Sequence, residues 1–184
     1  MNLFSQSRKD RHQRLKEKIA VSPFMTDSEL ATYLGVSVAT VRLDRMTLGI
    51  PEVRERVLTV AEKHVGDADG LAEILDVEPG VRGVSVLVTN DEMCFHGTDI
   101  VKSQYIYSMA EDLAVKVLGA KATIVNVANI KYKTEVKTNV KLVARCLIKS
   151  ARVMNTLVWV TIYNNSNEVF RCKFILEEKG ISLR

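Results

Sequence analysis

The chain has 184 residues, 47% of them hydrophobic, and a formal net charge of +4. That allows one domain of ordinary size, or one plus a small appendage; no apolar run reaches the ~18 residues that span a bilayer, and the stretch "MNLFSQSRKDRHQRLKEK" lacks the apolar segment of a secretory signal, so no membrane partner is expected. Three scattered cysteines, Cys94, Cys146 and Cys172, offer neither a disulfide framework nor zinc-ligand spacing, which points to the reducing cytoplasm with no metal and no resident cofactor.

Charge is concentrated at one end. Residues 1–18 hold six basic residues against Asp10 and Glu17, leaving 20 basic and 20 acidic residues over the rest of the chain. Such a basic arm suits phosphate. From Thr26 to Met46 the spacing predicts a helix-turn-helix. "TDSE" at 26–29 is a capping box, in which the Thr26 hydroxyl accepts from the Glu29 amide and the Glu29 carboxylate reaches back. Leu30, Ala31 and Leu34 give the first helix an inward face, and Gly35 permits the left-handed turn. Val36 fills the gap between helices, Ser37 caps the second helix and Val41 packs it onto the first. Ser37, Val38, Ala39, Thr40, Arg42 and Arg45 are then expected to meet a major groove, because early recognition-helix positions touch base edges and arginine grips guanine through two bonds. Asp44 is expected to orient one of these arginines.

"PEVRERVLTVAEKH" at 51–64 reads as an amphipathic helix. Pro51 suits its first turn, Glu52 and Glu55 its positive end, and Val53, Val57, Val60 and Ala61 form one apolar face. Glycines and Pro79 over 66–83 mark breaks and turns. A strand follows at 84–90, then a helix over 103–118 with a wide apolar stripe and Ser103 as N-cap, stopped at Gly119. Strands are predicted near 121–132, 139–150, 155–164 and 168–177, the last two joined at "NNSNE". "VWVTIY" within 155–164 has the continuous apolar and β-branched character of a strand buried on both faces. One long apolar helix followed by an antiparallel meander predicts an α+β fold, a sheet wrapped around that helix, behind an all-α head.

The stretch "TDSELATYLGVSVATVRLDRMTLGIPEVRERVLTVAEK", with "AEDLAVKVL" and "ANIKYKTEV" further on, resembles the FapR repressors of bacterial fatty-acid and phospholipid synthesis. The resemblance covers nearly the whole chain. It implies a helix-turn-helix DNA-binding domain over 1–50, an amphipathic linker helix over 51–65 and a hot-dog domain over 66–184 that binds an effector and dimerises. It further implies that malonyl-CoA or a related acyl-CoA controls binding of a homodimer to a roughly palindromic double-stranded DNA operator. The family's ligand-gripping segment aligns with Lys102 to Glu111. Lys102 keeps a positive charge where the family has an arginine, but not the two-pronged geometry. Glu111 stands in place of an amide. Effector contacts are therefore expected from Lys102, Ser103, Tyr107 and Glu111, with Lys131 and Lys133 toward the coenzyme A phosphates or as the polar edge of a sheet.

Two other readings remain open. Glu111, near the middle of the long helix, could serve a hot-dog thioesterase as base or nucleophile. Alternatively, the hot-dog domain only dimerises a DNA-binding protein. Otherwise no catalytic residue is expected. His96 reads as structural, and no Walker A, G-x-G-x-x-G or triad signature is present.

Overall fold

The computed structural model describes residues 3–63, 72–119, 122–151 and 155–178. It divides into two compact units, 1–63 and 64–184.

The first unit is all helical: α1 (Leu3–Val21), α2 (Asp27–Leu34), α3 (Val38–Thr47) and α4 (Val53–Lys63). The capping box forms as expected, with both reciprocal bonds between Thr26 and Glu29. Gly35 closes α2 at φ +68°, a left-handed conformation that a Cβ would strain. Ser37 then caps α3, accepting from the Thr40 amide at 3.1 Å. The small core is Leu30, Ala31, Leu34 and Val41, completed by Leu15 of α1, with Val36 packed against it. The basic stretch over 1–18 is thus no loose arm. From Leu3 it runs within a helix that supplies part of the core, because burying Leu15 is favourable while Arg8, Lys9, Arg14 and Lys16 stay in solvent and Arg11 turns to Asp44. On α4, Val57 and Ala61 are buried as the periodicity required.

The second unit is one six-stranded antiparallel sheet in the order β1-β2-β4-β5-β6-β3, packed against a single long helix. Its strands are β1 (Glu73–Glu78), β2 (Arg82–Val88), β3 (Ala122–Tyr132), β4 (Lys141–Ala151), β5 (Thr156–Asn164) and β6 (Asn167–Glu178), and the helix is α5 (Ser103–Leu118). Five strands and the helix fall within two residues of their predicted ends. β1 was not expected. It lies in the stretch read as breaks and turns, because the Pro79–Gly80 turn was taken to characterise a whole segment when it only joins β1 to β2. Gly66 and Gly70 of that stretch lie outside the described residues.

Ile106, Met109, Ala110, Leu113, Ala114 and Val117 of α5 are buried against the sheet, beneath Phe170 and Phe174 of β6. Gly83 on β2 lets the helix approach. A Cβ there would lie 2.5 Å from Val117 Cγ2 and 3.0 Å from Leu113 Cδ1. Strand β5 is interior to the sheet, but only one of its faces is fully buried. Val158, Val160 and Ile162 point inward, while Trp159, Thr161 and Tyr163 are half-buried. The apolar run that suggested two buried faces has another cause: the Trp159 ring is covered by Lys173 at 4.4 Å and Lys149 at 5.0 Å to its centroid.

Candidate functional site

In the helical unit, α3 has an inner and an outer side. Val41, Asp44 and Arg45 face inward and are buried. Arg45 was expected to reach DNA and does not. It is 4% exposed, and its guanidinium donates two bonds to Asp27, at 2.7 and 2.9 Å, and one to the Ile50 carbonyl at 3.0 Å. A carboxylate at the start of α2 draws this arginine back across the turn, an attraction that helical spacing within α3 cannot reveal. Burial alone would raise the Asp27 pKa, but the Arg45 bond and the charges of Arg45, Arg56 and Arg42 hold it below the usual carboxylate value. Asp44 also differs from expectation. It orients no arginine of α3; it accepts from Arg11 at 2.6 and 3.1 Å and meets His12 Nε2 at 2.8 Å, both on α1. The Arg11 bond, opposed by burial and aided by His12, lowers the Asp44 pKa. Arg56 of α4 is a third locked cation, donating to the Pro23, Met25 and Pro51 carbonyls.

The outer side of α3 carries Ala39, Arg42, Leu43, Met46 and Thr47, all exposed. Arg42 is 68% exposed along its side chain and only 3.5 Å from Asp27. Of the two predicted arginines it alone is available to a ligand. Ser37 and Thr40 are committed to the cap, where their hydroxyls meet at 2.9 Å, and Val38 packs partly against the core.

In the second unit, a cleft of about 330 Å³ opens at the N-terminus of α5. A single 3-10 turn, Asp91–Met93, capped by the Asn90 side chain, leads into a loop pinned by two bridges, Cys94 to Val101 and Ile100 to Lys137. The walls come from Phe95, Ile100 and Val101 of this loop and from Tyr132 at the end of β3 with residues 133–136 that follow, with Ser103 and Ile106 of α5 as floor. Ser103 is not the N-cap. Lys102 holds that position without a side-chain bond, and Ser103 instead lines the cleft together with Tyr132, whose pKa burial raises and Ser103 partly lowers.

Of the six predicted effector residues, Ser103 and Lys133 line this cleft, while Lys102, Tyr107, Glu111 and Lys131 do not. Ser103, Tyr107 and Glu111 recur at four-residue spacing and so share one side of α5. Tyr107 stacks edge-on against Phe174 at 5.8 Å. Glu111 is half-buried and makes no hydrogen bond or ion pair with any described residue; burial, then repulsion from Asp112, raises its pKa. Lys131 is exposed and sits opposite Arg171 in the β3–β6 register. Lys133 pairs with Glu168 at 3.0 Å, and Arg171 joins the same carboxylate at 2.9 Å. His96, expected to be structural, is exposed in a turn and packs into no core. The sequence reading missed Tyr132 and Phe95; only strand pairing and loop closure bring them to the cleft. Burial pushes the Cys146 and Cys172 thiols up to about 12, so neither is a ready thiolate.

A capped helix-turn-helix with an open recognition face, joined in one chain to a helix wrapped by an antiparallel sheet, defines a DNA-binding regulator built on a hot-dog domain. No protein-family model matches the chain. It is 49% identical over 176 residues to the Transcription factor FapR of Thermoanaerobacter sp. (strain X514), covering 92% of this chain and 88% of that one. The chain therefore belongs to the FapR family of transcription factors. Among solved structures it resembles smu.793 from Streptococcus mutans UA159 bound to acetyl CoA, at a TM-score of 0.54 and 16% identity over 64% of this chain and 95% of that one. It also resembles a hypothetical thioesterase with coenzyme A from Streptococcus pneumoniae TIGR4, at a TM-score of 0.53 and 16% identity over 60% of this chain and 87% of that one. These likenesses show the fold of the second unit. Among the described residues no helix is long and apolar enough to cross a membrane.

Proposed function

We propose that this transcription factor is a ligand-gated repressor of lipid-biosynthesis genes, in which an acyl-CoA bound by the hot-dog domain controls operator affinity. The observation that carries the reading is the pairing, in one chain, of an outward recognition helix with a cleft at the N-terminus of α5. Helix N-termini favour carbonyl oxygens and anions, and 330 Å³ lies at the small end of ligand pockets. Lys133 and Arg171 share the one carboxylate Glu168, and exposed Lys131 sits opposite Arg171, a cationic excess that suits coenzyme A phosphates beside the cleft.

Dimerisation is part of the proposal. β3 is an 11-residue strand at the edge of the sheet, and an unpaired edge of that length is a template for a second copy. Two heads then call for a roughly palindromic operator. Malonyl-CoA is the first effector to test. Glu111 would repel a second carboxylate that reached it, so Lys102 must neutralise that end if malonyl-CoA is preferred over an uncharged acyl group.

The test is a gel shift with the full-length protein on a duplex that it retains, titrated with malonyl-CoA, acetyl-CoA and longer acyl-CoA thioesters. A coupling of roughly 5- to 150-fold in DNA affinity is expected from one of them. A duplex that stays bound with unchanged affinity under every thioester overturns the effector half.

A second reading is favoured by one observation, the unpaired, half-buried Glu111 on the central helix. It makes the domain an acyl-CoA thioesterase, with Glu111 activating water. Release of free thiol from the same thioesters, abolished in Glu111→Gln, would establish it, and intact thioesters would remove it.

A further inference from the structure

We propose that Leu43 and Met46 read thymine methyl groups in the major groove and so help set the operator sequence; this rests on α3 being the DNA-reading helix. The inward side of α3 is fixed by Val41, Asp44 and Arg45. At 100° per residue, the direction opposite those three is held by Ala39, Leu43 and Met46. Leu43 is 64% exposed and Met46 76%. One exposed leucine needs no explanation. Two large apolar side chains at the centre of the one open face of a recognition helix do.

The surroundings identify the occupant. Arg42 flanks the stripe on one side. Thr47 flanks it on the other, where Arg8 of α1 reaches the threonine hydroxyl at 3.5 Å. An apolar ridge between two cationic flanks matches a groove whose walls are phosphate and whose floor carries methyl groups. In the major groove that apolar group is the thymine C5 methyl, which cytosine lacks. An apolar protein partner would not require the cationic flanks. Arg42 therefore supplies charge and guanine contact, while Leu43 and Met46 supply discrimination for A·T pairs.

The experiment begins with the full-length protein and a random-sequence duplex pool, from which its best-bound duplex is selected. Each thymine of that duplex is then replaced by uracil, which deletes one methyl and leaves every hydrogen-bonding edge intact. Wild-type protein is expected to lose about three- to fivefold in affinity at one or more thymines in each half-site, the worth of one buried carbon. Leu43→Ala and Met46→Ala are each expected to bind the thymine duplex more weakly and to be indifferent to uracil at one of those positions. Both residues are exposed, so circular dichroism should match the wild type. If wild-type protein binds thymine and uracil duplexes equally, or if the double variant keeps the discrimination, the inference is overturned while DNA binding stands. If no duplex is retained from the pool, both fall.

Discussion

The helical unit and the central helix of the second unit treat charge in opposite ways. In the helical unit the buried ionic groups are matched: Arg45 with Asp27, and Arg11 and His12 with Asp44. Both carboxylates sit below their usual pKa, because the bonds they accept favour the ionised form. On α5 of the second unit, Glu111 has no such partner among the described residues and its pKa is raised by burial. Matched charge fixes a shape, since moving either member strands the other. Unmatched charge in a half-buried place is chemistry left open, for a ligand or a second chain to complete. The charges buried in the head thus complete one another, whereas Glu111 is the group that the proposed function leaves for a ligand or a second copy.

The largest expected effect breaks the matched side. Asp27→Ala leaves Arg45 buried and unpaired and should destabilise the head by about 2–3 kcal/mol, below the ~3–5 kcal/mol of a fully dry pair because Asp27 keeps some contact with water. Hydrogen exchange should show lost protection in α2 and α3 and unchanged protection in the sheet; equal loss in both units would undo the contrast. Next comes the packing of the second unit. Gly83→Ala forces a methyl against Val117 and Leu113 and should lower its stability by about 1–3 kcal/mol in urea unfolding.

Arg42→Ala tests what lies outside the matched set. It should weaken operator binding by about 1–2 kcal/mol, roughly 5- to 30-fold, with head stability unchanged. A comparable loss of fold would make Arg42 a structural cation like Arg45.

The smallest effects are those of pH, and their signs differ between units. Asp27 and Asp44 have folded pKa values below the unfolded ~3.9. Their stabilisation is therefore complete above about pH 4 and lost as pH falls through the folded values. Glu111 runs the other way. Its folded pKa lies above the unfolded ~4.3, so the second unit is favoured at low pH and loses that increment as pH rises through the folded value. Glu111→Gln should give a slight gain in stability at neutral pH that disappears below about pH 4. A gain that persists in acid would mean the glutamate acts through packing and not through its charge.

Much of this was legible in the sequence, for reasons that can be stated. Capping, turn and burial signals are local: Thr26 with Glu29, Gly35, Ser37, and the stripe from Ile106 to Val117 each act over a few residues. The sites were less legible because their partners are distant. Arg45 answers to a carboxylate 18 positions away, and Asp44 to one arginine 33 positions back. Ser103 meets Tyr132, 29 positions on and on another element, only in the lining of the cleft. A spacing rule sees none of these; it sees a polar residue at an outward angle. Leu43 and Met46 were missed for the opposite reason, since apolar residues on a helix are ordinarily assigned to a core.

Trp159, roofed by two lysines, is the chain's sole tryptophan. Excitation of indole fluorescence therefore reports on the hot-dog sheet alone while the helical head stays dark. Circular dichroism records both units. The difference between the two melting curves gives the stability of the reading head separately, in one tube and without a label.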